Sequence, residues 1–113
     1  MSAIVAISLE LWAVIDVACT FQDKVRLYML TELVQGGELF SRLLATRTLD
    51  EETVRFYTAC IVLALACLHA KNNVYRDLKP ENVLIDTLGY VKIVDFGFAK
   101  KLPPSNTTNT TCG

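Results

Sequence analysis

Four polar side chains between residues 77 and 95 have the types and the order needed to transfer a phosphoryl group. Asp77, Lys79 and Asn82 fall within six residues of one another, and Asp95 comes thirteen residues after Asn82. Asp77 can accept or orient the proton of an attacking hydroxyl, and the Lys79 ammonium can lie beside the transferred phosphate. Asn82 and Asp95 offer hard oxygen ligands of the kind that Mg²⁺ takes alongside nucleotide phosphates. The pattern therefore predicts a site that positions a magnesium-bound nucleotide.

Each of these residues, taken singly, is more typical of a solvated turn in which a short polar side chain bonds to nearby backbone. The combination favours the catalytic interpretation. Arg76-Asp77-Leu78-Lys79-Pro80-Glu81-Asn82 and Asp95-Phe96-Gly97 occur in this order, separated by a predicted strand, turn and strand. Unrelated turn residues are not expected to fall into one such arrangement, so the two motifs together are a strong signal.

The two motifs resemble the catalytic loop and the metal-binding loop of eukaryotic protein kinases. Tyr75 to Asn82 and Asp95 to Lys101 are similar to the cyclic-nucleotide-dependent branch of the Ser/Thr kinases, with Tyr75 where the common pattern has His. Phe56 to Cys60 and Leu27 to Leu30 are similar to the cGMP-dependent members of that branch. The resemblance runs from about residue 12 to residue 113.

This resemblance implies an α+β fold that is a partial protein-kinase-like fold. It would contain the end of the small lobe, the hinge, and the first part of the helical large lobe up to the activation loop. Residues 1–11 are then a divergent N-terminal segment, and residues 12–34 supply small-lobe strands and the hinge. Residues 35–102 carry the large-lobe helices, the catalytic loop and the Asp-Phe-Gly segment, and residues 103–113 form a truncated activation loop.

The resemblance also assigns roles in binding ATP and Mg²⁺. Asp77 and Lys79 would be catalytic, while Asn82 and Asp95 would hold the metal. The segment Leu30-Thr31-Glu32-Leu33-Val34 resembles the hinge between the two lobes. The ATP-binding residues would be the Glu32 carbonyl and the Val34 backbone on adenine, Leu84 as part of its floor, and Thr31 at the gatekeeper position. Because Thr31 is small, the resemblance predicts an accessible pocket behind the adenine site.

Two acidic residues match positions that contact basic substrate residues in related kinases. Glu38 follows Gly36-Gly37 at a predicted helix start, where a carboxylate is also favoured by the helix dipole alone. Glu81 lies within the catalytic loop, where a solvated acid is unremarkable. The resemblance therefore implies protein or peptide substrates with basic residues near the Ser or Thr.

A regulatory phosphorylation site is implied near the end of the chain. Thr110 falls at the phosphorylated position of the family's activation loop, and Arg76 and Lys100 match the residues that pair with that phosphate. A phosphate there would add close to two negative charges and three acceptor oxygens. The alternative is an unmodified, Thr-rich mobile loop, because Pro, Ser, Asn and Thr dominate from Pro103 onward.

Composition limits the chain to one domain at most. It has 113 residues, and a chain of this length buries roughly two-thirds of its unfolded surface. The apolar fraction of 52% and the mean hydropathy of +0.36 are high for a small domain, which fits a piece of a larger core. A net charge of −1 without a basic run excludes an electrostatic footprint for nucleic acid.

Cysteine usage and the apolar stretches give no sign of secretion or membrane insertion. Cys19, Cys60, Cys67 and Cys112 include no Cys-x-x-Cys pair, and Cys60 and Cys67 are expected in the interior. The first residues lack a basic region, and the apolar run from Ala59 to Leu68 suits a core helix better than a bilayer span. We therefore expect no transmembrane segment and a cytoplasmic location.

Local patterns predict the elements that position the motifs. The sequence predicts strands at Trp12 to Thr20 and Val25 to Leu33, and a short helix at Glu38 to Ala45 with an apolar side formed by Leu39, Phe40, Leu43 and Leu44. A longer helix should begin after Asp50 as N-cap and end at Lys71-Asn72-Asn73. Its predicted buried face comprises Val54, Tyr57, Ile61, Leu65 and Leu68. A hairpin should join Val83-Leu84-Ile85 to Tyr90 to Val94 through Asp86-Thr87-Leu88-Gly89.

Departures from the kinase pattern separate the remaining hypotheses. The sequence contains no Gly-x-Gly-x-x-Gly loop, no Val-Ala-x-Lys strand and no Ala-Pro-Glu motif. We therefore expect a fragment of a Ser/Thr kinase that is itself inactive. A regulatory cyclic-nucleotide domain outside this chain is implied only by the resemblance to the cyclic-nucleotide-dependent branch. The alternative is a truncated, non-catalytic isoform that acts as an interaction module. A pseudokinase is less consistent with the chain because Asp77, Lys79, Asn82 and Asp95 are all present.

Overall fold

The computed structural model describes residues 13–102, which form three small antiparallel sheets and two α-helices. The predicted activation-loop site Thr110, the cysteine at position 112 and residue 12 lie outside the described residues. The elements in chain order are β1 (Val17–Gln22), β2 (Leu27–Thr31), α1 (Leu39–Thr46), α2 (Glu51–Ala70), β3 (Asn73–Val74), a 3₁₀ turn (Pro80–Asn82), β4 (Val83–Ile85), β5 (Val91–Ile93) and β6 (Lys100–Lys101).

Helix α2 is the main support of the fold, and both of its predicted ends are confirmed. The Asp50 side chain accepts the backbone N–H of Thr53 at 3.1 Å, which caps the first turn. The helix ends at Ala70, and Asn72 takes a left-handed conformation with φ of 58°. Its length and apolar composition would suffice to cross a membrane, but a core helix of a globular protein meets the same test.

The buried face of α2 agrees with the predicted one in part, because Tyr57 and Leu68 are buried and Ile61 and Leu65 pack against the buried clusters. Tyr57, Cys60, Ala64 and Leu68 are buried, whereas Val54 is 45% exposed. Cys67, which was also expected inside, is exposed. The helix contacts β3 and β5, and the positions of these strands decide which of its side chains are buried.

The β1–β2 hairpin lies at the start of the described range and is shorter than predicted. β1 begins at Val17, with a register irregularity between Val17 and Cys19, and β2 covers only Leu27–Thr31. The residues before β1 pair with a different sheet: Ile93 donates its N–H to Ala13 O at 2.8 Å, and Ile15 donates to Ile93 O at 3.1 Å. This segment therefore joins the β1–β2 hairpin to β5, so the predicted continuous strand from residue 12 is wrong.

The predicted β4–β5 hairpin is confirmed. Asp86 organises its turn, because its Oδ1 accepts the backbone N–H groups of Leu88 at 2.8 Å and Tyr90 at 2.9 Å. Gly89 has a φ of 90°, a conformation that favours glycine. Helix α1 begins one residue later than predicted, with Glu38 as an extended N-cap, and contains no buried residue. Its predicted apolar side is only partly correct, since Phe40 and Leu44 are exposed.

Two buried clusters hold these elements together. The first contains Ala13, Val14, Ala64, Leu68, Tyr75, Ile93 and Phe96. The second contains Tyr57, Cys60, Val83, Ile85 and Val91. Both clusters combine α2 with the β4–β5 hairpin, and Ile93 and Val91 are completely buried. The hairpin between the two predicted motifs is therefore fixed on α2, which sets the positions of the loops at its two ends.

Candidate active site

The loop before β4 brings Asp77 and Asn82 into direct contact. Asn82 Nδ2 donates to the Asp77 backbone oxygen at 3.0 Å and to Asp77 Oδ2 at 2.9 Å. Both residues are buried, so the two bonds lie in surroundings where unpaired polar atoms are costly. Lys79 Nζ lies 3.5 Å from Asp77 Oδ1, and its side chain is 48% exposed. The loop thus presents an oriented carboxylate with an ammonium beside it.

Local backbone chemistry explains this loop shape. Arg76 has a φ of 66°, which reverses the chain directly before Asp77. Pro80 then begins a 3₁₀ turn in which Asn82 donates its N–H to Lys79 O at 3.0 Å. A left-handed non-glycine residue is costly and persists where the surroundings enforce it. The hydrogen bonds that Asn82 makes to Asp77 and Lys79 support this loop conformation.

Asp95 is tied to the same loop through the backbone. Val94 donates its N–H to Asn82 O at 3.0 Å, so the residue before Asp95 is bonded to the residue that contacts Asp77. Asp95 itself has a φ of 59°, and its Oδ1 accepts the Gly97 N–H at 3.1 Å. The two predicted motifs, separated by thirteen residues in sequence, therefore lie side by side.

The buried side chain of Tyr75 contacts the segment around Asp95 and so connects the two motifs. Its hydroxyl donates to the Val94 backbone oxygen, and its ring lies 5.1 Å from that of Phe96 in an edge-to-face arrangement. Burial raises the pKa of Tyr75, and the negative charges of Asp77 and Asp95 raise it further. The phenol therefore stays protonated and acts as a hydrogen-bond donor. Sequence analysis recorded Tyr75 only as a variant of the family pattern and gave it no role.

Oxygen atoms suited to Mg²⁺ are available on both motifs. The Asn82 amide nitrogen is used by Asp77, so Oδ1 is the Asn82 atom that can face a cation. Asp95 is exposed and keeps carboxylate oxygen beyond its bond to Gly97. One amide and one carboxylate beside a nucleotide are a donor set that suits Mg²⁺, which keeps several waters and shares ligands with substrate phosphates. The side chains present therefore fit a magnesium-nucleotide complex.

A cavity of about 220 Å³ lies beside Asp95 and reaches Thr31 at the end of β2. Its other lining residues are Val14, Ile15, Val17, Met29, Val94, Phe96 and Gly97, which make its wall mostly apolar. The cavity thus lies next to Thr31, while the predicted adenine site in front of it stays a prediction. A larger side chain at Thr31 would project into this cavity.

Glu32, which follows Thr31 and is also a predicted nucleotide contact, takes part in three hydrogen bonds. Its N–H donates to Asp16 O at 3.0 Å, and its Oε1 accepts both the Asp16 N–H at 2.9 Å and Lys92 Nζ at 2.7 Å. Burial raises the pKa of Glu32, but the hydrogen bonds from Lys92 and Asp16 outweigh that effect and lower it. Sequence analysis missed Lys92. The signal was a single charged residue inside the apolar strand Val91–Ile93, which predicts a partner.

The loop after the predicted hinge is packed tightly on β4. Gly37 O accepts the Ile85 N–H at 2.8 Å, and Glu38 forms an isolated bridge with Leu84. A Cβ placed on Gly36 would lie 2.2 Å from Ile85 O, so only glycine fits there. Sequence analysis recognised Gly36-Gly37 as a break between strand and helix, but not this close approach. Val34 is half-buried near the start of the loop.

The predicted substrate and regulatory residues lie at the edges of this arrangement. Glu38 and Glu81 are exposed. Arg76 Nε donates to Phe98 O at 2.7 Å, which ties the catalytic loop to the segment after Asp95. Lys100 of β6 pairs with Val74 of β3, and Val74 lies two residues before Arg76 in the sequence. The two basic residues therefore lie on adjoining segments.

Comparisons with known proteins agree with this geometry. The family described as protein kinase domain matches residues 5–113. The chain is 56% identical over 94 residues to the cGMP-dependent protein kinase, isozyme 2, of Drosophila melanogaster, which is 83% of this chain and 10% of that protein. It is 53% identical over 89 residues to a cGMP-dependent protein kinase of Toxoplasma gondii, or 79% of this chain and 9% of that protein.

The chain is also similar, at slightly lower identity, to a cAMP-dependent protein kinase. The chain is 50% identical over 100 residues to the cAMP-dependent protein kinase catalytic subunit of Dictyostelium discoideum, which is 88% of this chain and 15% of that protein. The chain therefore spans about a tenth to a seventh of the length of these curated relatives.

Proposed function

The chain belongs to the protein kinase domain family, and we propose that it carries the catalytic loop, metal ligands and hinge of an ATP-dependent Ser/Thr kinase. The observation that supports this most directly is the contact of Asn82 with both motifs. Its side chain bonds Asp77, and its backbone oxygen accepts the N–H of Val94, next to Asp95. A proton acceptor and two metal-ligand candidates thus share one small region.

The chain's own residues divide the work as follows. Asp77 Oδ2 is oriented by Asn82, which leaves the carboxylate able to accept or align the proton of a substrate hydroxyl. Lys79, held near Asp77, neutralises charge on the transferred group as it moves. Asn82 Oδ1 and the Asp95 carboxylate would hold Mg²⁺. When bound, magnesium ATP supplies the phosphoryl group and the positive charge that offsets its oxygens.

Adenine would lie between the hinge and β4. The Glu32 carbonyl and the Val34 backbone would bond its edge, and Leu84, half-buried on β4, would contact its face. Thr31 would leave the 220 Å³ cavity open behind it. A Thr31→Met variant is expected to lose affinity for bulky inhibitors that reach this cavity while it keeps affinity for ATP. Equal inhibitor affinity in the two forms would remove the pocket from this proposal.

Substrate preference and regulation are further parts of the proposal. Glu38 and Glu81 are exposed carboxylates near the catalytic loop, which suits basic residues close to the phosphorylated Ser or Thr. Arg76 and Lys100 lie on adjoining segments that could bind a phosphate on Thr110. The proposed parent enzyme is cytoplasmic, and its cyclic-nucleotide control would come from a domain outside these 113 residues.

The 113 residues by themselves are expected to have little or no kinase activity. They contain no Gly-rich loop and no Val-Ala-x-Lys strand, so several groups that position the phosphates in related kinases are absent from the sequence. Catalysis of this type consists mostly of positioning and electrostatic stabilisation. Losing such groups is therefore expected to cost several orders of magnitude in rate.

A chimeric kinase provides the test. Residues 12–102 would replace the matching segment of the Drosophila cGMP-dependent protein kinase, isozyme 2, and phosphorylation of a Ser peptide flanked by arginines would be measured. We expect magnesium- and ATP-dependent activity that Asp77→Asn lowers about a thousandfold. Asp23→Asn, in the distant β1–β2 turn, is the matched control and should retain activity. A folded but inactive chimera would contradict the proposed kinase function. A kinetic preference for an acidic peptide would contradict only the proposed preference for basic sites.

A second candidate function is a non-catalytic interaction module. It is favoured by the exposed apolar side chains on two surfaces, among them Leu33 at 80% and Leu63 at 56% exposure. This function predicts that the 113-residue chain binds a kinase partner with an affinity that Leu63→Ser reduces and Asp77→Asn does not. The opposite ranking in a pull-down with purified kinase would favour the catalytic function.

A further inference from the structure

Lys92 and Glu32 form an ion pair that joins the β4–β5 sheet to the residue after β2. They are 60 residues apart in sequence, and Lys92 Nζ lies 2.7 Å from Glu32 Oε1. The Lys92 side chain is only 16% exposed and that of Glu32 is 33% exposed. The same Glu32 oxygen accepts the Asp16 N–H, while Asp16 O accepts the Glu32 N–H. One carboxylate oxygen therefore connects β5, the end of β2 and the segment before β1.

Backbone hydrogen bonds next to the ion pair connect the same two parts of the chain. Next to Lys92, Ile93 exchanges two backbone hydrogen bonds with Ala13 and Ile15. Across the β4–β5 hairpin, Lys92 is paired in register with Leu84. Directly opposed residues of an antiparallel pair share one face of the sheet. Lys92 thus lies beside the residue proposed as the adenine floor and bonds the residue whose carbonyl is proposed to accept adenine.

The energetics favour a positioning role over a contribution to stability. A surface ion pair contributes little, and a partly buried pair repays its desolvation only when its geometry is good. Here the geometry is good, and both partners keep hydrogen bonds that fix their orientation. An apolar residue at position 92 would fit the apolar strand and cost less to desolvate. The pair is therefore best explained by what it holds in place.

We infer that Lys92 is a positioning residue that makes this site select adenine over guanine nucleotides. By holding Glu32 against β5, the ion pair fixes the Glu32 carbonyl at a set distance from Leu84. Adenine carries an exocyclic amino donor for a carbonyl acceptor, whereas guanine carries a carbonyl at the corresponding place, and two acceptors repel. The inference rests on the proposed function, because it presupposes a nucleotide at the hinge.

The test compares two nucleotides in the full 113-residue chain. Amide chemical shifts of the isotopically labelled chain would be followed during titration with magnesium ATP and with magnesium GTP. Lys92→Met is expected to weaken ATP binding about tenfold and GTP binding less than about twofold. Lys92→Arg, which can keep the ion pair, should restore the preference for ATP. Lys24→Met removes a lysine from the exposed β1–β2 turn and should leave both affinities unchanged.

The outcomes separate this inference from the proposed function. If wild type binds ATP but Lys92→Met keeps the same ATP-to-GTP ratio, the inference is overturned and the proposed function stands. An equal loss for both nucleotides would mean a general structural defect, which also overturns it. If wild type binds neither nucleotide, the inference is overturned, while the proposed function is decided separately by the activity of the chimeric kinase. If Lys92→Met does not fold, Glu32→Gln, which keeps an acceptor for the Asp16 N–H, provides the same comparison.

Discussion

The β1–β2 and β4–β5 hairpins have the same antiparallel topology but differ in how far their side chains are buried. In β4–β5, the strands have only three residues each, yet Val83, Ile85, Val91 and Ile93 are all buried. In β1–β2, the strands are longer, but Val17 is the one residue with a buried side chain in their burial patterns. Strand length and hydrogen-bond number therefore do not decide which hairpin is better anchored.

The difference shows how the candidate site is divided between a fixed part and an adjustable part. The β4–β5 hairpin has Asn82 before its first strand and Asp95 after its second, so its burial on α2 fixes the chemical groups. The β1–β2 hairpin leads into Thr31 and Glu32, and it is linked to the rest through residues 13–16 and Lys92. We therefore expect substitutions in β4–β5 to damage the whole fold, and those in β1–β2 to act locally.

The largest expected effect distinguishes the cores of the two hairpins. Ile93→Ala removes a completely buried side chain and should lower the free energy of unfolding by about 2–5 kcal/mol. Leu30→Ala, at a residue that is 56% exposed in β2, should cost less than about 1 kcal/mol. Urea denaturation of both variants measures the difference. Equal losses would mean that the hairpins are anchored equally well.

The next effect concerns the contact between the hinge loop and β4. Gly36→Ala places a Cβ against Ile85 O, a backbone atom that cannot rotate away, and should destabilise the chain by about 3 kcal/mol. Gly37→Ala is the matched control. Its added Cβ meets no atom within 4 Å, so it should cost only about 1 kcal/mol for the positive φ. Thermal unfolding that ranks Gly37→Ala as the more harmful change would contradict the proposed close packing.

A smaller effect separates two tyrosine hydroxyls. Tyr75→Phe leaves the half-buried Val94 oxygen without its donor and should cost about 1–2 kcal/mol. Tyr28→Phe removes an exposed hydrogen bond of 2.9 Å to Asp23 in the β1–β2 hairpin, and water can replace it. Its expected cost in the same urea measurement is below about 0.5 kcal/mol. Comparable costs would show that Tyr75 does not support the two motifs.

The smallest expected effect is the loss of unfolding free energy at low pH that comes from the Glu32–Lys92 ion pair between the two hairpins. The pKa of Glu32 is lowered from its ordinary value of 4.5 in the folded chain. Its stabilisation is therefore present above the unfolded pKa and is lost as the pH falls through the folded pKa. Glu32→Gln and Lys92→Met should each make the acid-side loss of unfolding free energy shallower than in wild type. Unchanged slopes in urea titrations at successive pH values would contradict the ion pair.

Local signals were sufficient to predict the elements nearest the motifs. The Asp50 cap, the left-handed end at Asn72 and the Asp86 turn each depend on residues within a few positions of one another. For that reason α2 and the β4–β5 hairpin were predicted correctly. The kinase resemblance likewise depended on the order and spacing of residues 75–82 and 95–101, and the family match confirms it.

Features made by distant residues could not be obtained in the same way. Periodicity indicated that α2 has a buried face, but the neighbouring strands decide that Ala64 faces inward while Val54 remains exposed. The same applies to residues 13–16, whose β-prone composition gave no sign that they pair with Ile93. The hydrophobic pattern indicates which residues can be buried, whereas their burial depends on which other elements pack against them.

The amino-acid sequence alone determined the chemical groups of the candidate site and the short loops that carry them, because turns, caps and motif spacing are local properties of the chain. Only the tertiary structure decided that Lys92 meets Glu32 and that Gly36 lies against Ile85. Those contacts join segments about 50 or more residues apart, and their geometry exists only after the sheets have packed on α2.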